Sequence, residues 1–587
     1  GKLAEEAVKD PHHVKAMKPL PSRKMKKEVP LMDCFVAPCK EGCPIHQDIT
    51  TYLQLVGEEK YEEAMEVITE KNPLPFITGT ICAHNCMSKC TRNFYETPVH
   101  IREMKLKAAE NGYEALLEKL PVPAVTKAGK AAVIGGGPAG MAAAYFLRKG
   151  GMEVTLFEAK ESLGGVVRHV IPPFRISEDA IEKDAEILRK MQVDIHCNTK
   201  LESLEELKKQ GYTKIVLAVG APVQGSLKLE SGMPKNALEF LAEFKQTDGK
   251  VSLGKHVVVI GGGNTAMDTA RAAKRNAGVE HVYLIYRRTR RYMPADEEEL
   301  VMALEDGVEF KELLSPVKLE NGQLFCKVMQ LSDYDVSGRR GVTETGETVW
   351  VPADTVIAAV GEKVPTDWYQ ANGLAVSEKG RLYVDEKTLK TSDDNVYAAG
   401  DGLYGPATVV EAIRDGRKVA EAIAGEVLAC DFDKLAEEEK VYAKRGVLKE
   451  EQKETKEAGR CLGCSTICEN CVEVCPNRAN IAIQVPGMEK HQIIHVDYLC
   501  NECGNCKSFC PYSSAPYLDK FTLFETEADM ENSKNQGFAV LDQETRRCKV
   551  RFFGKTFIWE PEKPAALPDG LGRMIETVCR DYSYLIR

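Results

Sequence analysis

The stretch KAAVIGGGPAG, residues 130–140, decides the fold of the central part of this chain. Its apolar start is typical of a buried parallel strand, and its end is the G-x-G-x-x-G pattern. The first glycine permits a tight turn, the second lets the backbone approach a pyrophosphate, and the third allows close packing of helix on strand. The N-terminus of the following helix favours an anion. The candidate cofactor contacts here are Gly135, Gly137, Pro138, Ala139 and Gly140.

A second predicted strand, Glu153–Phe157, ends at Glu158. An acid about 20 residues after the glycine pattern is placed to accept hydrogen bonds from a ribose diol. The strand–turn–helix context and this acid together predict a dinucleotide-binding unit.

The pattern then repeats, because the run Val257–Ile260 leads into GGGNTA at residues 261–266. The next predicted strand, His281–Tyr286, ends in Arg287 and Arg288 instead of an acid. A guanidinium group can bind a 2′-phosphate in bidentate fashion, so this second unit is predicted to prefer NADPH over NADH. The alternative is a solvated basic strand end. The other candidate contacts in this unit are Gly261, Gly263, Asn264, Thr265 and Ala266.

A third element completes the first unit. The predicted strand Asn395–Ala399 runs into Gly400 and Asp401, and a helix is predicted over Val409–Ile423. In flavoproteins with two dinucleotide units, Gly-Asp at this place holds the ribityl chain of FAD. The predicted crossovers between the units are Lys214–Val219 with Gly220 and Thr355–Val360 with Gly361. The sequence therefore predicts an FAD domain interrupted by an NADPH domain.

Fifteen of the twenty cysteines fall in two groups, six between Cys34 and Cys90 and nine between Cys461 and Cys510. Such clustering indicates metal ligation in a reducing compartment and predicts a cytoplasmic protein. Between the first glycine pattern and Asp401 only two cysteines occur, and they are too far apart for C-x-x-C, so disulfide chemistry is not expected. The scattered cysteines, interpreted as structural, are Cys197, Cys326, Cys430, Cys548 and Cys579.

The C-terminal group contains two ferredoxin-like runs. The run Cys500, Cys503, Cys506, Cys510 before Pro511 has the bacterial spacing, in which three thiolates hold one [4Fe–4S] cluster and the fourth reaches a second. The upstream run has one extra residue between its first two cysteines, and Cys461 lies outside it. Its members, which precede Pro476, are Cys464, Cys468, Cys471 and Cys475.

The amino-acid composition excludes few classes of protein. Hydrophobic residues make up 43% of the 587 residues and charged residues 28%, which is ordinary for a globular protein with several domains. A net charge of -10 argues against nucleic-acid binding. No signal peptide or membrane span is predicted, since the uncharged run Ala131–Leu147 is short and interrupted by glycines. Residue 1 is Gly, which leaves open processing or a piece of a longer polypeptide.

Several stretches resemble known families. APCKEGCPIHQDI (37–49), GTICAHNCMSKCTR (79–92) and VIGGGPAGMAAAYFLRKGG (133–151) resemble the small subunit of bacterial glutamate synthase and the N-terminal half of dihydropyrimidine dehydrogenase. PLMDCFVAPC (30–39) and RCLGCSTICENCVEVCPNRANIAI (460–483) resemble the C-terminal part of selenate reductase subunits of the YgfK type, which are associated with anaerobic purine breakdown. That resemblance implies a further N-terminal region in full-length relatives.

The resemblance implies two N-terminal [4Fe–4S] clusters, one on Cys43, Cys82 and Cys86 and the other on Cys34, Cys39 and Cys90. The positions of the fourth ligands hold Leu31 and Lys105; the substitutes that remain open are Asp33, His46, His84 and Glu103, or an incomplete cluster. Further FAD contacts implied by the resemblance are Gly165, Arg168 and Thr408, with a structural ion pair as the alternative for Arg168.

The predicted fold class is α/β, with a helical iron–sulfur N-terminal domain, two nested Rossmann-like domains and a ferredoxin-like domain with two [4Fe–4S] clusters. The predicted segments are 1–128 (helical iron–sulfur), 129–250 and 353–430 (FAD), 251–352 (NADPH), 431–458 (linker), 459–520 (ferredoxin-like) and 521–587 (small extension). The expected function is electron transfer from NADPH through FAD and the clusters to a partner subunit or missing domain. The alternatives are a self-contained reductase of a small oxidised substrate and a non-catalytic carrier or scaffold.

Overall fold

A computed structural model gives the fold and describes residues 22–94, 96–334, 340–432, 436–563 and 567–587. The first 21 residues of the predicted N-terminal domain lie outside the described residues. The chain divides into two compact units. The described part of the large unit comprises Thr69–Ala83 and Tyr113–Cys430, and the cysteine-rich unit comprises Ser22–Ile68, His84–Gly112 and Asp431–Arg587.

The described residues of the large unit form fifteen strands, numbered here along the chain. They are β1 Lys130–Ile134, β2 Glu153–Phe157, β3 Asp194–His196, β4 Tyr212–Leu217, β5 Val223–Gln224, β6 Lys235–Asn236, β7 His256–Ile260, β8 His281–Tyr286, β9 Glu309–Glu312, β10 Leu314–Glu320, β11 Gln323–Tyr334, β12 Arg340–Pro352, β13 Thr355–Ala358, β14 Glu362–Lys363 and β15 Val396–Ala398. Its helices are Pro75–Ile81, Pro138–Lys149, Val166–His169, Glu178–Lys190, Leu204–Lys209, Ala237–Gln246, Asn264–Arg275, Glu297–Glu305, Thr366–Ala371, Asp401–Tyr404 and Val409–Ala424.

The first sheet is parallel, in the order β15-β4-β1-β2-β3. β1 and β2 are buried except at their first residues, as expected for strands covered on both faces. The helices Pro138–Lys149 and Val409–Ala424 pack against each other closely, since a Cβ at Gly416 would lie 2.6 Å from the carbonyl oxygen of Ala139. The C-terminal ends of β1 and β4 therefore meet beside the first glycine loop.

The second sheet is also parallel, in the order β6-β13-β7-β8-β9. It includes β13 and β6, which the sequence analysis assigned to the two FAD segments. That boundary is corrected, because β13 pairs with β7 over four residues and places its apolar side chains in the core of the second sheet. The antiparallel sheet β10-β11-β12 packs on this core through Leu324 and Val351.

The cysteine-rich unit combines short helices with one sheet. Its helices are Pro38–Gly42, Ile49–Gly57, Asn85–Ser88, Glu438–Tyr442, Asn470–Glu473, Asn505–Phe509, Pro516–Asp519, Glu527–Asn532 and Asp569–Asp581, and the helices Tyr61–Thr69 and Ile101–Lys119 extend to its boundaries. Its strands are β16 Asn480–Ile483, β17 Gln492–Val496, β18 Phe521–Phe524, β19 Gly537–Asp542, β20 Arg547–Phe552 and β21 Lys555–Trp559.

The six strands form one continuous sheet in the order β16-β17-β18-β19-β20-β21. Residues 521–587, predicted as a small C-terminal extension, therefore continue the sheet of the ferredoxin-like part. β18 pairs in parallel with β17, and the helix Asp569–Asp581 buries Met574 and Val578 in the same core as Ile494. The ferredoxin-like part and the last 67 residues share one hydrophobic core, in which apolar burial favours a single folded body.

Across the residues that the structure describes, no helix is both long and apolar enough to cross a membrane. The run Ala131–Leu147 is divided between β1, the glycine loop and the helix Pro138–Lys149.

Candidate functional site

The first glycine loop has the geometry that its sequence predicts. Gly135 has a φ of 106°, and a Cβ at Gly140 would lie 1.9 Å from the Gly135 carbonyl oxygen. At Gly137, the N-cap of the helix Pro138–Lys149, an added Cβ would meet only the Cα of Gly165, at 3.8 Å. The loop is therefore closed toward the sheet and open toward the side where a pyrophosphate would lie, so the residues fit this part of FAD.

Glu158 is positioned by the loop itself. Its side chain is buried, Oε2 accepts a hydrogen bond from the Gly136 N–H at 2.6 Å, and Oε1 accepts one from the Lys160 N–H at 2.8 Å. These two bonds hold the carboxylate at the end of β2, which is where a ribose diol would meet it.

Two further predicted contacts lie around this loop. Gly165 has a φ of 54° and faces Gly137, where any side chain would collide with the loop. The Nη2 of Arg168 donates to Glu182 Oε2 at 2.6 Å, while its buried Nε has no hydrogen-bond partner among the described residues. The ion pair considered as the alternative for Arg168 is thus present, and one buried donor of its guanidinium group has no partner among the described residues. Gly220, after β4, has a φ of 67° with no atom within 4 Å of an added Cβ.

The Gly400–Asp401 segment packs onto the first loop. A Cβ at Gly400 would lie 2.7 Å from the Cβ of Ala139. Asp401 Oδ1 accepts a hydrogen bond from the Ala407 N–H at 3.0 Å, and burial, together with Glu411 and Asp415, raises the pKa of Asp401. Thr408 caps the helix Val409–Ala424 in a capping box with Glu411. The segment is held as a rigid turn beside the open side of the loop.

The second glycine loop differs in one respect. Its third position is Ala266, whose Cβ lies 3.0 Å from the place of a Cβ on Gly261. Gly263 is open, with no atom within 4 Å of an added Cβ. Asn264, the first helical residue, is fixed by two hydrogen bonds with Asp296, at 2.9 and 3.2 Å, and half-buried Thr265 follows it. Asp296 was not predicted, because its role depends on a contact across 32 residues.

The two arginines after β8 are in different environments. The Arg287 side chain is exposed at the strand end, where it is accessible to a phosphate. Arg288 is half-buried, and its Nε donates to the Arg340 carbonyl at 2.8 Å. The structure therefore separates a solvent-facing arginine from one that also anchors β12.

One group of cysteines lines a small cavity. Its members are Cys475, Cys500, Cys503 and Cys506. The Ala479 N–H lies 3.2 Å from Cys475 Sγ and the Glu502 N–H lies 3.3 Å from Cys500 Sγ. This is the predicted crossing of the two runs, in which the last cysteine of one run joins the first three of the other.

A second cavity brings Cys34, which was predicted to join Cys39 and Cys90, to cysteines of the two C-terminal runs. The cysteines that line this cavity are Cys34, Cys468, Cys471 and Cys510. Burial, followed by the nearby thiols of Cys34 and Cys510, raises the pKa of Cys468 to about 12. Cys464, predicted to belong to this run, does not line the cavity.

Cys464 lies instead beside an N-terminal segment. Its Sγ is 3.0 Å from Thr91 Oγ1, next to Cys90. Burial raises the pKa of Cys39, and the nearby thiols of Cys90, Cys461, Cys464 and Cys86 raise it further. Cys461 was missed as a candidate ligand, although the C-x2-C spacing of residues 461–464 was a signal for it.

The remaining predicted ligands of the N-terminal clusters do not line either of the two cysteine cavities. Cys43 and Cys86 lie in the cysteine-rich unit and Cys82 in the large unit. Among the suggested substitutes, Asp33 contacts Gln492, His84 contacts Arg102 and Glu103 contacts His100. Leu31 packs on the apolar core, Lys105 is buried, and His46 is 4.0 Å from Glu41. In the described residues, no three His, Cys, Asp or Glu side chains meet closely enough for a single metal ion. The thiolates of an iron–sulfur cube each bind a different iron and stand further apart.

The chain matches two family models. Residues 129–416 match the pyridine nucleotide-disulphide oxidoreductases, and residues 20–115 match the family described as dihydropyrimidine dehydrogenase domain II, 4Fe-4S cluster. The first match covers both glycine loops and the Gly400–Asp401 turn, and the second covers all six N-terminal cysteines.

Three relatives extend these matches. YgfK of Escherichia coli K12, an oxidoreductase by name, is 40% identical over 571 residues, covering 94% of this chain and 54% of YgfK. The chain thus spans about half the length of this relative. The NADPH glutamate synthase small chain of Azospirillum brasilense is 33% identical, covering 66% of this chain and 86% of that protein. The NAD-dependent dihydropyrimidine dehydrogenase subunit PreT of Escherichia coli K12 is 31% identical, covering 66% and 91%. This chain therefore belongs to the family of NAD(P)H-dependent FAD and iron–sulfur oxidoreductases that includes the glutamate synthase small chain and PreT.

Proposed function

We propose that this oxidoreductase passes electrons from NADPH, through FAD and [4Fe–4S] clusters, to a terminal reductase site on a partner subunit or on a domain outside this chain. The observation that carries the proposal is that one chain combines two open glycine loops with two groups of four cysteines, each of which lines one cavity. A thiol-based output is not available, because the large unit lacks a C-x-x-C pair.

The residues of the large unit bind and orient the two nucleotides. Bound FAD supplies the exchange between electron pairs and single electrons that a nicotinamide and an iron–sulfur cluster require. Gly137 leaves room for its pyrophosphate, and Glu158 accepts hydrogen bonds from its ribose. Asp401, held by the Ala407 N–H, borders the same side of the loop, where the ribityl chain would lie.

Arg287 selects the nicotinamide coenzyme. Its guanidinium group is exposed at the end of β8, in the place where the first unit carries Glu158. A cation there attracts the 2′-phosphate of NADPH, whereas an acid repels it. Asp296 fixes Asn264 at the N-terminus of the helix that follows the loop, which keeps the free N–H groups of that helix directed at the coenzyme.

The partner is inferred from the relatives and from the molecule itself. Two relatives are a small chain and a subunit by name, and YgfK is about twice as long as the matched segment. The resemblance to YgfK-type selenate reductase subunits suggests anaerobic purine or selenium-linked metabolism for the whole system. We propose a cytoplasmic location, since cysteines that hold clusters must stay reduced.

The test is an anaerobic titration of the purified chain with NADPH, followed by visible spectra and EPR. We expect bleaching of one flavin and then cluster signals, with NADH much less effective. Flavin bleaching without any cluster signal would contradict the electron-transfer route. Rapid reduction of a small oxidised substrate without a partner would favour the self-contained reductase, and failure of NADPH to bleach the flavin would favour a carrier or scaffold.

A further inference from the structure

The upstream cysteine run lacks its first member. In the bacterial spacing C-x2-C-x2-C-x3-C-P, counting back from Cys475 and Pro476 places the four positions at 475, 471, 468 and 465. Residue 465 is a serine, and its Oγ lies 2.6 Å from Thr50 Oγ1. The run therefore has three cysteines in register, and Cys464 is a neighbour of the missing position and not its replacement.

Cys34 lies on the cavity that the cysteines in register line. The residues around it are held by the tail: Asp33 exchanges two hydrogen bonds with Gln492, and Tyr512 Oη donates to the Val36 carbonyl at 2.6 Å. Phe35 is 1% exposed and packs in one apolar cluster with Cys471 and Ile493. These contacts place Cys34 on the wall of the same cavity as Cys468, Cys471 and Cys510.

Buried arginines fix Cys461 and Cys464 on the opposite segment. Arg92 Nε donates to the carbonyl of Arg460, the residue before Cys461. Arg460 is fully buried and donates to the carbonyls of Thr97 at 2.8 Å and Pro98 at 3.2 Å. The backbones at 91–94, 96–98 and 457–461 are thus joined from both sides, and Cys464 Sγ lies 3.0 Å from Thr91 Oγ1, beside Cys90. The helix Pro38–Gly42, which contains Cys39, packs on the residue before Cys90, since a Cβ at Gly42 would lie 2.6 Å from Lys89 Cγ.

We propose that the N-terminal segment and the tail share two [4Fe–4S] clusters, one held by Cys34, Cys468, Cys471 and Cys510 and the other by Cys39, Cys90, Cys461 and Cys464. This inference rests on the proposed function only in requiring that the chain binds clusters. It differs from the grouping that the family resemblance implies, in which Cys34 joins Cys39 and Cys90. It also makes Cys461 a ligand. Relative to the predicted groups, Cys34 takes the place of Cys464 beside Cys468 and Cys471, and Cys464 takes the place of Cys34 beside Cys39 and Cys90.

The proposed ligand groups are tested by measuring bound iron in single and double cysteine variants. The iron losses add only when the two cysteines hold different clusters. Cys34→Ala alone should remove about four irons per flavin, the content of one cluster. Cys34→Ala with Cys471→Ala affects one shared cluster, so the loss should stay at about four. Cys34→Ala with Cys39→Ala affects two clusters, so the loss should double. The grouping implied by the resemblance predicts the reverse: a doubled iron loss for Cys34→Ala with Cys471→Ala and a loss of about four irons for Cys34→Ala with Cys39→Ala. That result would overturn the proposal.

Two features keep the test decisive. Iron is counted per bound FAD, so unfolded chains do not contribute, and exposed Cys430→Ala is the control that should keep all its iron. If a double variant does not accumulate, EPR of the reduced single variants replaces it. The signal lost in Cys34→Ala should then match the one lost in Cys471→Ala and differ from the one lost in Cys39→Ala; the opposite match contradicts the proposal. Iron is measured without NADPH, so failure of the proposed electron route would not affect this result.

Discussion

The two units of this chain form their sites in opposite ways. In the large unit, the pyrophosphate-binding part of each nucleotide site is a strand, a glycine loop and a helix that follow one another within about 30 residues. In the cysteine-rich unit, Cys34 and Cys510 line one cavity although 475 positions separate them in the sequence. The difference teaches that backbone amides of consecutive residues can form a binding site by local geometry alone. Four thiolates around a cluster come from distant segments, and only the tertiary fold brings them together.

The two kinds of site are also stabilised differently. The glycine loops depend on the absence of side chains, as the 1.9 Å approach at Gly140 shows. The cysteine groups depend on buried polar side chains, above all Arg92 and Arg460, which bind main-chain carbonyls of the facing segment. The first kind of site should therefore be broken by adding an atom, and the second by removing a charge.

The largest effect is expected for Arg460→Met. Removing this buried guanidinium leaves the buried Glu457 carboxylate without its ion-pair partner and takes one donor from the carbonyls of Thr97 and Pro98, at a cost of about 3–5 kcal/mol. The free energy of unfolding of the cysteine-rich unit should fall by that amount in anaerobic denaturation, with loss of iron. Exposed Arg547→Met is the matched control and should change the value by less than about 0.5 kcal/mol. Equal effects of the two variants would show that the buried arginine does not join the segments.

A smaller effect, confined to the flavin, is expected for Gly140→Ala. The added methyl group collides with the Gly135 carbonyl, and such overpacking costs about 1–3 kcal/mol. The FAD content after gel filtration should fall about tenfold. The reciprocal change in the second loop, Ala266→Gly, removes an atom and should cost about 1 kcal/mol or less without loss of FAD. Normal FAD content in Gly140→Ala would mean that the two loops tolerate the same side chains.

A specific change in coenzyme preference is expected for Arg287→Gln. Loss of one charge-assisted hydrogen-bonding group, worth about 1.5–3 kcal/mol, should raise the KM for NADPH about 10- to 100-fold and leave that for NADH nearly unchanged. Arg288→Gln should have a smaller effect on this ratio, because its Nε is already bound to Arg340. The measurement is steady-state oxidation of both coenzymes with an artificial acceptor. A parallel loss for NADPH and NADH would contradict the role of the 2′-phosphate.

The smallest effect is a difference in pH response between the units. Burial lowers the pKa of His495 to about 4, so the unfolded chain binds a proton that the folded chain does not as pH falls below about 6.5. The cysteine-rich unit should therefore lose about 2 kcal/mol between pH 7 and about pH 5. Burial raises the pKa of Asp268, in the large unit, to about 6. The contribution of Asp268 to the free energy of unfolding therefore changes in the opposite direction, and it is lost as pH rises through 6.

The two variants His495→Gln and Asp268→Asn separate these contributions. Denaturation at the two pH values should show a flatter pH response of the cysteine-rich unit in the first and of the large unit in the second. A response that neither variant changes would assign the pH dependence to other groups.

Much of the large unit could be predicted because its signals are local. The glycine loops, Glu158 and the exposed Arg287 were all read from short motifs with a known period and spacing. The misses in this unit concern contacts between distant segments. β13 joins the second sheet by pairing with β7, and Asp296 fixes Asn264 across a turn that no motif marks.

In the cysteine-rich unit the sequence predicted that cysteines are the ligands, but it did not predict fully which cysteines lie together. Spacing identified Cys475, Cys500, Cys503 and Cys506 correctly as one group, because neighbouring positions of a run face one site. Spacing could not distinguish Cys464 from Cys34, since a one-residue offset changes which side of the chain a thiol faces. The sequence also did not predict that residues 521–587 share a sheet with the ferredoxin-like part, because the order of strands in a sheet depends on pairing between distant segments.

The sequence by itself determined the chemistry of this protein: two dinucleotide loops of opposite charge preference and a set of thiols suited to iron. Only the tertiary structure decided which thiols stand together and which strands share a sheet. The physical reason is that a glycine turn depends on the dihedral angles of a few consecutive residues, whereas a cysteine group or a sheet depends on the total free energy of packing distant segments, to which Phe35, Arg92 and Arg460 contribute from far along the chain.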